Sequence, residues 1–203
     1  MAYINTVTDS DPGSKTARMF AKAEAGYGYL PNMVKAFSHR PDVMEGWNNL
    51  LASIKSGMDL RRYELVTMAA AKELRSSYCM LAHGSVLLHG HFTPLELQAV
   101  VEGNDTAPLN ETDRAVMRFA AKVVRDATSV GAEDVEDLRS RGLTDGEIFD
   151  IVAAAAVRCF FSKTLDALGV QPDGVYHEIE PRLKRALVVG RDIDTVGDLS
   201  HPA

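Results

Sequence analysis

Three residue types capable of joint chemistry stand close together in one stretch of this chain, ELVTMAAAKELRSSYCMLAHG: Glu64, Cys79 and His83. A cysteine attacks as the thiolate, so its surroundings decide whether it reacts. Ser76 or Ser77, a short hydroxyl ahead of an apolar run, predicts the start of a helix. Cys79 then falls in the first turn, beside free amide N–H groups and the positive end of the helix dipole. His83, four residues on, shares its face one turn further along. Both effects favour the thiolate, the form that attacks peroxide oxygen, disulfide sulfur or electrophilic carbon. Glu64 reaches the same spot if its helix packs antiparallel to the next, and there it would orient His83 or pass a proton. A plainer reading also fits these residues, with Cys79 a small buried hydrophobe on an alanine-rich helix.

The other candidates carry less. Cys159, within AAVRCFF, reads as core packing despite the adjacent Arg158. Cys79, His83, His89 and His91 lie within thirteen residues, which raises a metal site. His83 and His89 point to different helix faces, however, and no second Cys or His pair completes a tetrahedral set. No metal and no cofactor is therefore expected. His89 and His91 flank Gly90 as a polar helix end, Met68, Phe119, Phe160 and Phe161 read as core, and EDVEDLRSR (133–141) as a solvated face.

The elements that must position these residues are helical throughout, with no convincing alternating strand. Ser14 caps a helix that stops near Gly26 and Gly28, and Pro31 and Pro41 stand where helices begin. Val43, Trp47, Leu50, Leu51 and Ile54 form an amphipathic stripe ended by Gly57. Asp59 caps LRRYELVTMAAAKELR. TPLE (93–96) and TDGE (144–147) are capping boxes; between them Ala115, Val116, Phe119, Ala120, Val123 and Val124 make another stripe. The helix begun at Thr144 stops at Gly169, ahead of Pro172. The expected architecture is one all-α domain over residues 1–203, with a core about 41–125, a C-terminal helical half about 126–173 and a peripheral tail 174–203. Residues 64–83 and 147–166 also align without gaps, sharing a leading Glu, two alanines and an arginine. In that register Ser76 faces Cys159 and Cys79 faces Ser162. A true helical duplication and a chance match of alanine-rich helices both remain open.

Composition narrows the function classes. With 203 residues, 46% hydrophobic and 25% charged, the chain has the make-up of a globular domain. Its net charge of −6, with no basic run beyond Arg61-Arg62, argues against a nucleic-acid partner. The longest apolar run, 151–157, is too short to cross a bilayer. The N-terminus lacks an export pattern. Two cysteines 80 residues apart fit a reducing compartment, so a cytoplasmic protein is expected.

The spacing Glu64, Ser76, Cys79, His83 resembles the carboxymuconolactone decarboxylase/AhpD-like (alkylhydroperoxidase D) superfamily, and within it the peroxidase-related branch. That pattern is a glutamate, eleven residues, Cys-x-x-Cys, and a histidine four after the second cysteine. GYLPNMVKAFSHRPDVMEGW resembles the segment before the family core and FFSKTLDALGVQPD its closing helix, so the likeness runs from about Gly28 to Asp173. The resemblance implies an all-helical fold assembling into homo-oligomers. It implies a thiol-dependent hydroperoxide reductase, a peroxidase-like antioxidant oxidoreductase acting on small-molecule hydroperoxides. Carried over, Cys79 is the attacking thiol, and Glu64 and His83 are the proton relay. Ser76 stands in the resolving position, where a hydroxyl cannot form the disulfide.

Three routes follow from that substitution. Cys79 works as a one-cysteine site reduced by an external thiol, Cys159 resolves it, or the redox role is lost. A cofactor-independent decarboxylase or lyase acting on a small lactone or keto acid is the alternative enzyme. It would use Glu64 and His83 as acid and base, with Arg61, Arg62 and Arg75 the arginines available for a carboxylate. A non-catalytic oligomeric binding protein is the third reading.

Overall fold

The computed structural model describes residues 2–7 and 11–195. Its order is α1 (Lys15–Tyr27), α2 (Asn32–Ala36), α3 (Pro41–Lys55), α4 (Leu60–Glu73), α5 (Ser77–Leu88), α6 (Pro94–Glu102), α7 (Glu111–Asp126), α8 (Ala132–Ser140), α9 (Asp145–Ala167) and α10 (Pro181–Leu187). The fold is all-α, with no strand among the described residues.

Helix boundaries follow the punctuation. The Ser14 hydroxyl accepts from Ala17 N–H, and Gly28 closes α1 in the left-handed region at φ 77°. Asp59 caps α4 by accepting from Arg62 N–H, and both expected capping boxes form. A third joins Asn110 and Asp113 at the start of α7. Each satisfies amide donors that the first helical turn leaves free.

Helix α4 is the centre. Every residue from Tyr63 to Ala71 is buried, and its alanines let α5, α7 and α9 approach closely. Leu65, Met68 and Ala71 face one core, with Leu81, Leu87, Leu97, Phe161, Leu165 and Leu183. Val66, Ala69 and Ala70 face a second, with Val116, Ala120, Ile151, Ala154 and Ala155. Helix α9 likewise contributes to both, and the chemistry-bearing residues gather where the two cores meet.

The α4–α5 turn fixes their register. Arg75 takes the left-handed conformation, φ 55°, at the position after the helix cap where glycine is usual. Ser76 N–H bonds Ala71 C=O at 2.9 Å and Arg75 N–H bonds Lys72 C=O at 3.0 Å, the paired closure of a Schellman turn. The chain reverses, and α5 runs back along α4. Gly190 seals this turn from outside, with its α-carbon so close to the Arg75 carbonyl that an added methyl would overlap it.

Several expectations are corrected. The two stretches aligned as a repeat differ: residues 64–83 bend at Arg75, whereas residues 147–166 lie within one uninterrupted helix. Their aligned arginines part company, Arg75 at the turn and Arg158 fully buried. Phe160, read as core, and Leu50 of the α3 apolar stripe are about half exposed at 46% and 53%. The tail expected over 174–203 is not peripheral throughout, because Leu183 and Leu187 of α10 are fully buried in the larger core; residues 196–203 lie outside the described residues. Among the described residues no helix is long and apolar enough to cross a membrane.

Candidate active site

The antiparallel α4–α5 pair brings Glu64 and His83 into direct contact. Nδ1 of His83 lies 2.5 Å from Oε2 of Glu64, whose side chain is 1% exposed. Burial first, and then the positive charge of Arg158, hold the His83 pKa below the usual imidazole value, and the Glu64 carboxylate only partly offsets them. A neutral ring donates from Nδ1 to the carboxylate and leaves the Nε2 lone pair free, which makes it a proton acceptor. The Tyr63 ring meets the imidazole edge-on, 6.2 Å between centroids.

Cys79 sits in the first turn of α5, as its spacing predicts, and is fully buried. Its sulfur lies 3.2 Å from the Ser162 hydroxyl and 3.8 Å from Nη1 of Arg158. Arg158 and Ser162, four apart on α9, share the face turned to Cys79. Nη2 of Arg158 donates to the Tyr63 hydroxyl at 3.0 Å. The guanidinium carbon lies 5.8 Å from the Trp47 ring and 5.7 Å from Phe161, two rings stacked 4.2 Å apart. Burial opposes the charge on Arg158, but the Cys79 sulfur and Tyr63 hydroxyl outweigh it and hold its pKa above the usual range.

Ser76 occupies the cap position of α5, yet its hydroxyl makes no cap bond. The extended backbone there turns the side chain toward α9, beside the Asp166 carboxyl but short of a well-formed hydrogen bond. Burial raises the Asp166 pKa, and the Ser76 hydroxyl pulls it the other way. Cys159 is half-buried, its thiol directed back at the Ala155 carbonyl at 3.7 Å. The residues touching Cys79 come instead from the neighbouring positions of α9.

Sequence reasoning missed Arg158, Tyr63, Trp47 and Ser162. One signal was available: a lone charge inside IVAAAAVRCFF, on a helix too apolar to solvate it. The arginines it proposed are engaged elsewhere. Arg61 makes a two-pronged pair with Asp113 at 3.0 and 2.9 Å, Arg62 bonds Glu147 at 2.6 Å, and Arg75 reaches the Val189 carbonyl. His89 caps the end of α5 and is exposed, as is His91. Among the described residues no three Cys, His, Asp or Glu side chains are grouped to hold a metal ion.

Residues 41–122 match the family described as carboxymuconolactone decarboxylase family. No curated protein matches the chain. Among solved structures, an uncharacterised peroxidase-related protein with an alkylhydroperoxidase AhpD core from Ralstonia eutropha JMP134 is similar at 24% identity and TM-score 0.71, covering 79% of this chain and 86% of its own. A peroxidase-related protein from Silicibacter sp. TM1040 is similar at 22% identity and TM-score 0.75, covering 87% and 94%. The debrominase Bmp8, solved with 2,3,4-tribromopyrrole, is similar at 19% identity and TM-score 0.68, covering 91% and 95%. The match to the carboxymuconolactone decarboxylase family thus runs from α3 into α7 and takes in Glu64, Cys79 and His83, and the all-α fold is shared along most of the chain with the AhpD-like structures.

Proposed function

We propose that the protein is a thiol-dependent hydroperoxide reductase with Cys79 as its single reacting sulfur. The observation that carries this reading is the placement of that sulfur between Ser162 and Arg158, one turn from the Glu64–His83 pair. His83 accepts the thiol proton while its Nδ1–H stays on Glu64. The sulfur then attacks the distal oxygen of ROOH: an S–O bond forms, the O–O bond breaks, and its electron pair leaves with the alkoxide. The proton held on His83 converts that alkoxide to ROH, and Cys79 becomes a sulfenic acid. One external thiol condenses with it, releasing water and leaving a mixed disulfide. A second external thiol frees Cys79 and departs as the external disulfide, so the cycle needs no resolving cysteine at Ser76.

This reading places the protein in a reducing, cytoplasmic setting, supported by two cysteines that form no disulfide. It also carries a homo-oligomeric state, supported by Phe149, Val152 and Phe160 exposed along α9 and testable by light scattering. The deciding experiment treats the protein with tert-butyl hydroperoxide and measures intact mass with and without a sulfenic-acid trap. A trapped adduct on Cys79, absent in Cys79→Ser, is expected. An unchanged mass would overturn the reading.

A second reading keeps the Glu64–His83 pair and dispenses with the sulfur, since a neutral imidazole on a carboxylate is an acid–base unit by itself. Turnover of a small lactone or keto acid that survives Cys79 alkylation but not His83→Ala would favour this lyase.

A further inference from the structure

Among the described residues Arg158 is a buried cation with no carboxylate counter-ion, and the Cys79 sulfur is the one group beside it that can carry negative charge. Arg158 is 1% exposed, and among the described residues no carboxylate lies within ion-pair distance of it. The buried carboxylate of Glu64 is engaged by His83. Of the five guanidinium donors, one reaches the Cys79 sulfur loosely at 3.8 Å and one the Tyr63 hydroxyl. Among the described residues Nε has no hydrogen-bond partner, and neither has the buried indole Nε1–H of Trp47, whose ring flanks the same guanidinium. Unpaired buried donors and an unpaired buried charge are each costly. A carboxylate supplies both what the free donors lack, acceptor oxygens, and what the guanidinium lacks, a negative charge.

We infer that Arg158, with the Trp47 indole N–H, is an anion-binding element beside Cys79 that selects substrates carrying a carboxylate next to the reacting atom. The inference deepens the reading of Cys79 as the reacting sulfur and rests on it. The guanidinium is bonded to the Tyr63 hydroxyl and flanked by the Trp47–Phe161 stack, so its donors are oriented for a ligand that enters when the helices part. Neutral hydroperoxides of the same size would gain none of this, and acidic ones would be preferred.

The test uses two alkylating probes of similar size and opposite demand, iodoacetate and iodoacetamide, with Cys79 labelling followed by peptide mass. Relative to glutathione as a free thiol, wild type is expected to favour iodoacetate by at least tenfold. Arg158→Lys should retain part of that preference and Arg158→Met should lose it, both checked for native circular dichroism. Acetate should protect wild-type Cys79 from iodoacetamide in a saturable manner. A wild-type ratio equal to that of glutathione would overturn the inference, a result that needs no variant to fold. So would Arg158→Met slowing both reagents equally, because the arginine would then act on the sulfur alone. Complete inertness of Cys79 to both reagents overturns it too, since no substrate would reach the pair. Alkylation requires no peroxide chemistry: discrimination by charge without reaction with tert-butyl hydroperoxide would keep the anion element and remove the peroxidase reading.

Discussion

The hydroxyl of Ser162 lies 3.2 Å from the sulfur of Cys79, joining the first turn of α5 to the middle of α9 across 83 residues of sequence. The sulfur's polar neighbours are thus supplied by a distant helix rather than by its own motif. The position that the family pattern reserves for a second thiol, Ser76, is occupied by a hydroxyl turned toward Asp166.

Ser76→Cys should restore an internal resolving thiol three residues before Cys79. After one equivalent of tert-butyl hydroperoxide the variant is expected to lose two hydrogens in intact mass and to give no sulfenic-acid adduct. Persistence of a trapped adduct would show that the α5 cap cannot bring the two sulfurs together.

The His83–Glu64 pair predicts the direction of the pH dependence. The folded-state pKa of His83 lies below its ordinary value, so the ring is neutral and proton-accepting at pH 7. The rate of Cys79 oxidation should fall as pH drops below about 6.5 and through the depressed pKa. Glu64→Gln removes a group that raises the His83 pKa and should move that acid limb to still lower pH. For stability the sign is the same: the depressed value contributes stability that is present above about pH 6.5 and is lost as pH falls through the folded pKa. Urea midpoints between pH 5 and 8 check this, and an acid limb moving upward in Glu64→Gln would contradict the assignment.

The Asp113 carboxylate pairs both oxygens with Arg61 and accepts from the Asn110 backbone N–H, its side of the α7 capping box. Asp113→Ala should cost about 2 kcal/mol, from a lost cap and a partly buried charge pair. The ratio of iodoacetate to iodoacetamide labelling of Cys79 in the folded variant should match wild type, because this pair serves the scaffold and not the sulfur.

Leu183 of α10 is fully buried against the larger core. Leu183→Ala should destabilise the protein by roughly 3 kcal/mol, lowering Tm by about 6–12 °C for a chain of this size. A change under about 1 kcal/mol would mean that α10 docks too weakly to belong to the core.

What was legible in the sequence was local. Ser14, Asp59, Thr93 and Thr144 announce helix starts because a capping hydroxyl or carboxylate acts within three residues. Glu64, Cys79 and His83 announce themselves because one tight turn relates them. Arg158, Tyr63 and Trp47 did not, since their meeting depends on how α3, α4 and α9 cross. Ser76 was read as a capping side chain from its type, whereas the backbone angles at the Schellman turn aim its hydroxyl elsewhere. The burial of Leu183 and Leu187 was likewise invisible in a seven-residue helix, too short to display a clear periodic face.

The closure of the site has a kinetic consequence. Cys79 and Glu64 are each 1% exposed, so a reagent meets the sulfur only during moments when the helices part. Reaction at Cys79 is then paced by how often the protein breathes open, as in local opening read by hydrogen exchange. Oxidants of very different intrinsic reactivity should converge on one ceiling as their concentration rises, with the temperature dependence of an opening motion rather than of bond breaking.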